Sequence, residues 1–193
     1  MQYGKLPTHK LESGETINGF KFEIPYPHKT AIVRWPTADE LSTYMKTAEK
    51  VAKENKKKSD DDEYQLEIDL LKKIRLDSGE DFNGDESVRV INRLTDTGLV
   101  SCEKDGDAYE IVLSHTACED TKHRLRMPTF KELANYRKAP GISAAVKTYQ
   151  QLVEKSSGYD PYFKDDVPPT HKYIALMAVL TVHNAIDILI SPN

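Results

Sequence analysis

Apolar and charged residues alternate in Phe20-Lys-Phe-Glu-Ile24, and a second strand-like run, Ala108-Tyr-Glu-Ile-Val-Leu113, appears further along the chain. Each is followed by another stretch rich in β-formers, at 31–35 and 123–127. Period-two alternation marks a strand with one buried face, so two β-hairpins are predicted, with connections near 25–29 and 114–122. Past each hairpin the period lengthens. Leu66, Leu70, Leu71 and Ile74 recur at helical spacing within 64–76, and Val146, Tyr149, Leu152 and Val153 do so within 142–155. Both runs stop at Ser-Gly, where Gly79 and Gly158 are the expected left-handed C-caps. A last helix is predicted in each half, at 87–97 and 170–190.

These elements recur as a unit. Arg34-Trp-Pro-Thr-Ala-Asp-Glu-Leu-Ser-Thr-Tyr-Met-Lys46 aligned with Arg126-Met-Pro-Thr-Phe-Lys-Glu-Leu-Ala-Asn-Tyr-Arg-Lys138 gives seven identities in thirteen positions. In each copy a proline keeps the preceding residue extended, and Thr-x-x-Glu follows (Thr37 with Glu40, Thr129 with Glu132), the spacing of a capping box. The fold class expected is therefore α+β: two repeated units, each a β-hairpin followed by a capped helix and two further helices. Residues 1–18, with Gly4, Pro7, Gly14 and the Asn18-Gly19 turn signal, read as an irregular arm; the first unit spans 19–101 and the second 102–193, with the boundary near Cys102. A charged insert is expected at 46–63, where Lys56-Lys-Lys58 abuts Asp60-Asp-Asp62.

Charge and chemistry narrow the function. The chain has 193 residues, 27 basic against 31 acidic, and a net charge of −4, which argues against generic binding to a phosphate backbone. Lys53 and Lys56–Lys58 are cancelled by the acidic run that follows, and Lys122, His123, Arg124 and Arg126 sit on a strand that splits its charges between two faces. Two cysteines make no disulfide framework, and no basic stretch leading into an apolar run opens the sequence, so a reducing cytoplasmic setting is expected. The apolar stretch 174–190 contains His183, Asn184 and Asp187, which fits a core or interface helix better than a membrane span; Leu180 and Ile186 on it are candidate contact residues.

No nucleophile elbow, phosphate loop or His-Glu-x-x-His motif is present, and no enzymatic role or cofactor is expected. Cys102, His115, Cys118 and His123 form a zinc-type ligand set without two close ligand couples. Asp81-Phe-Asn-Gly-Asp-Glu86 departs from a calcium loop in the place of its glycine and in having Asn92 at the twelfth position. Arg34 and Arg126, each one step before an x-Pro-Thr cap, either bind the capping Glu and carbonyls of their own copy or meet a partner. Trp35 and Met127 beside them read as apolar staples, with Trp35 a further candidate for partner contact.

The string Val33-Arg-Trp-Pro-Thr-Ala-Asp-Glu-Leu41 resembles a strand-to-helix entry of the Arg-aromatic-Pro-Thr-x-x-Glu type in small tailed-bacteriophage structural and tail-assembly proteins, and the second copy looks like a version with Met127 for the aromatic. The resemblance covers about thirteen residues in each half. It implies a non-enzymatic role in the host cytoplasm or virion, in contact with other phage structural or assembly proteins or with a second copy of the chain. The alternative is a metal-stabilised regulatory or nucleic-acid-binding module.

Overall fold

The structure is a computed structural model that describes residues 7–25, 28–53, 64–116, 118–153 and 167–190, apart from the side chains of 25 and 184–190. It is an α+β chain that divides into two compact units, Leu6–Asp96 and Thr97–Asn193, the latter grouped with Met1–Lys5.

In the N-terminal unit, β1 (Thr8–Lys10), β2 (Thr16–Pro25) and β3 (His28–Arg34) form an antiparallel sheet in chain order, followed by α1 (Ala38–Lys53), α2 (Gln65–Ile74) and α3 (Gly84–Thr95). The expected irregular arm thus contributes β1 and the start of β2. Asn18-Gly19 is not a turn: Gly19 lies opposite Arg34 inside the sheet, where a Cβ would collide with the Val33 carbonyl oxygen. Gly79 is not a left-handed cap either. Helix α2 ends at Ile74, and Arg75 turns extended to bridge Val33. Helix α3 starts three residues before its expected position because Asn83 and Glu86 form a capping box of their own. The charged insert expected from residue 46 begins inside α1, which carries Asp39 and Glu40 in its first turn and Lys50 and Lys53 in its last, the polarity that suits a helix dipole. The runs Lys56–Lys58 and Asp60–Asp62 lie outside the described residues.

The C-terminal unit comprises β4 (Thr97–Asp105), β5 (Ala108–His115), β6 (Cys118–Arg126), α4 (Phe130–Lys138), α5 (Ile142–Leu152) and α6 (Pro169–Ile190). The hairpin expected here is a three-stranded meander, and its first strand, β4, begins upstream of the expected boundary at Cys102. Gly106, at φ 58°, makes the tight β4–β5 turn. Much of the loop expected at 114–122 is strand, since β5 and β6 stay paired as far as His115 and Cys118. The expected stop at Gly158 lies outside the described residues. Among the described residues no helix is long and apolar enough to cross a membrane.

The units repeat one another at a series of matching positions. In the first sheet Phe20, Phe22 and Ile24 lie opposite Val33, Ala31 and Lys29; in the second Tyr109, Ile111 and Leu113 lie opposite Leu125, His123 and Thr121. The second helices end alike, with Arg75 N donating to Leu71 O and Val153 N to Tyr149 O, both at 2.9 Å, and Val153 bridges Leu125 as Arg75 bridges Val33. The third helices open alike, Ser87 N to Asn83 O and Lys172 N to Pro168 O. Counted from those bonds, buried Glu86, Ser87, Val90, Ile91 and Leu94 correspond to buried His171, Lys172, Ala175, Leu176 and Val179.

Candidate functional site

The recurring arginine is a clasp. Arg34 holds Glu40 through two bonds, at 2.9 and 2.8 Å, and also donates to the carbonyls of Trp35 (3.1 Å) and Lys73 (3.0 Å). Arg126 repeats every contact: Glu132 at 3.0 and 2.5 Å, Met127 O at 3.1 Å and Gln151 O at 3.4 Å. Each capping Glu also accepts from its cap amide, Thr37 N or Thr129 N, at 2.8 Å. One planar guanidinium thereby ties the end of a strand, the start of one helix and the end of the next. Its bonds are the main reason that Glu40 and Glu132 sit near pKa 2, well below the usual carboxylate range.

Behind the clasps, corresponding positions carry different polar chemistry. In the N-terminal unit, Lys29 Nζ donates to Glu86 Oε2 (3.0 Å) and to Asp81 O (2.9 Å). Arg75 forks onto Asp77 at 2.9 and 2.8 Å, with its guanidinium 5.0 Å from the Phe82 ring centre. That pair, helped by the amides of Ile32 and Gly79, holds Asp77 at a pKa of about 2. A cleft of about 330 Å³ opens beside them, lined by Ile68, Leu71, Asp81, Phe82 and Ser87, with Lys72, Arg75 and Asp77 among the polar neighbours.

In the C-terminal unit the matching region is a set of buried imidazoles. His123 bonds Thr121 Oγ1 at 2.9 Å through Nε2 and the Tyr149 hydroxyl at 2.7 Å through Nδ1. The His171 ring lies 5.4 Å from that of His115 and 6.3 Å from that of His123. Burial, reinforced by the neighbouring imidazole, pushes His123 and His171 down to about 3, so both are neutral at pH 7. A neutral imidazole has one donor and one acceptor nitrogen, and hydroxyls on both sides of His123 can satisfy either.

The residues singled out in the sequence fall in separate places. Trp35 is buried, edge-on to Phe20 with ring centres 5.6 Å apart, and Met127 packs on the C-terminal core. Leu180 is half-buried against that same core, and the Ile186 side chain lies outside the described set. Cys102 and His123 share one rung of the sheet, separated by Ile111, whereas His115 and Cys118 pair at its far end. Burial and the adjacent acids raise the Cys118 thiol to about 11, opposing the thiolate that zinc needs. Among the described residues no three His, Cys, Asp or Glu side chains are placed to hold a metal ion.

Sequence reasoning missed Tyr149 and His171 as partners of His123, and missed the Arg75–Asp77–Phe82 group. The signal available was positional, since Lys29 with Glu86 and Thr121 with His171 occupy equivalent sites, but it becomes visible only once register is known. No protein-family model, curated protein or solved structure matches the chain.

Proposed function

We propose that the protein acts through contacts with other proteins, as a structural or assembly component of the tailed-phage kind, without catalysing a reaction. The observation that carries this reading is the outer strand of the C-terminal sheet. β4 lies at its edge and exposes Leu99 by 50% and Val100 by 57%, beside a bulge between Leu99 and Ser101. Exposed apolar residues on an edge strand are where a second polypeptide gains both hydrogen bonds and apolar burial. Phe130, exposed by 82% at the start of α4, adds an aromatic to the apolar surface of the same unit.

The test is site-specific photo-crosslinking in the protein's native cells, with the reactive side chain at Val100 or Phe130 and a control at Glu103. A discrete adduct with one virion or assembly protein, or with a second copy, is expected from the apolar positions and is lost in a Leu99→Lys background. Absence of any adduct from both positions refutes the reading.

A further inference from the structure

The cleft of the N-terminal unit runs over Ser87, a residue with no exposed surface whose hydroxyl has no hydrogen-bond partner. Five helical hydroxyls of this chain, those of Thr43, Thr47, Thr95, Thr148 and Thr181, turn back to the carbonyl four residues earlier, while that of Thr170 is buried without a partner. Ser87 does not turn back either, and a buried hydroxyl left unpaired is costly. Glu86, in the same first turn of α3, has a second buried and unbonded acceptor, Oε1. The other unit shows what such a position holds. Lys172 corresponds to Ser87, and its whole alkylammonium side chain is buried there, 4% exposed.

We propose that the N-terminal cleft is a binding site for an alkylammonium group, supplied by a small diamine or by the lysine side chain of another protein. It is independent of the partner-contact reading above. Ile68, Leu71 and Phe82 offer apolar walls for a methylene chain, and the exposed Asp81 carboxylate offers an acceptor for its head, with the Ser87 hydroxyl buried beneath. Of the cations at the cleft, Arg75 is paired with Asp77, Lys72 is on the exposed side of α2, and Lys29, whose ammonium lies 5.9 Å from the Phe82 ring centre, is paired with Glu86. The volume, about 330 Å³, is at the small end for ligand sites.

The experiment is an amide chemical-shift titration of the full chain with 1,5-diaminopentane, with an acetylated Ala-Lys-Ala amide, and with 1-pentanol as the uncharged control. Saturable shifts at Asp81, Phe82 and Ser87 are expected from at least one of the two amines. Shifts from the diamine alone assign a small-molecule ligand, and shifts from the peptide alone assign a protein lysine. Asp81→Asn should weaken the binding about fivefold at unchanged melting temperature, the size expected of one exposed charge. Ser87→Lys should fold, since a lysine is buried at the matching position 172, and should fill the cleft and abolish the shifts. The proposal is overturned by no saturable shift from either amine, by pentanol binding as well as the amines, by an unchanged affinity in Asp81→Asn, or by a Ser87→Lys chain that does not fold.

Discussion

Mild acid should loosen the C-terminal unit while leaving the N-terminal one intact. His123 and His171 have an ordinary pKa of 6.5 when unfolded and about 3 when folded. Below pH 6.5 the unfolded chain therefore binds protons that the folded chain refuses, so stability falls as pH falls and levels off only near pH 3. From pH 7 to pH 5 each histidine takes away about 2 kcal/mol, at 1.36 kcal/mol per pH unit once past its unfolded pKa, and the two together about 4. That is a large part of a small unit's stability. The depressed carboxylates act in a different range: Glu40, Asp77 and Glu132 contribute stability present above about pH 4.5 and lost as pH falls through 2. Urea unfolding at pH 7, 6 and 5 followed by hydrogen exchange reads β5, β6 and α5 separately from β2, β3 and α2. Trp35, the single tryptophan, reports the N-terminal unit by fluorescence. Equal protection of the C-terminal strands at pH 7 and pH 5 would falsify the argument.

Replacing His123 and Tyr149 with their counterparts, as His123→Ala with Tyr149→Leu, should halve that acid loss to about 2 kcal/mol. Tyr149→Leu alone, which strips one partner from a buried imidazole, should cost about 1–3 kcal/mol at pH 7, measured by urea midpoint. Arg126→Met should cost about 1–2 kcal/mol, reduced by solvent screening because its side chain is 37% exposed, and should raise the Glu132 pKa toward 4.5 in a carboxyl-carbon NMR titration. Thr37→Ala and Thr129→Ala should each cost about 0.5–2 kcal/mol through the lost cap; melting temperatures unchanged in both would contradict the capping geometry.

What the sequence made legible was local. The Thr-x-x-Glu caps, the strands entering Pro36 and Pro128, and the Arg34 and Arg126 bonds to their own capping carboxylates need only residues within six positions of one another. Asn83-x-x-Glu86 carries the same kind of signal, just ahead of a helix expected only from residue 87. β1 was not legible because Thr8-His-Lys10 is short and polar, its strand character coming from pairing with β2. β4 was hidden by its lack of alternation, its bulge interrupting the side-chain period beside Leu99. The cleft and the imidazole group depend on register between distant segments: His123 meets Tyr149 across 26 residues, and Lys29 meets Glu86 across 57.

The arginine clasp divides the molecule into parts that differ in their freedom to change. Its bonds run to backbone carbonyls and to a capping carboxylate, so they are indifferent to which side chains fill the space behind. Alanine can stand for histidine, leucine for tyrosine or serine for lysine at matching positions while strands and helices keep their order. Substitutions at Arg34, Glu40, Arg126 or Glu132 strike the frame, whereas interior positions can drift or be exchanged in sets. A designer could therefore transplant the imidazole group into the first unit, or the cleft into the second, and obtain a chain with two imidazole groups or two clefts on one backbone plan.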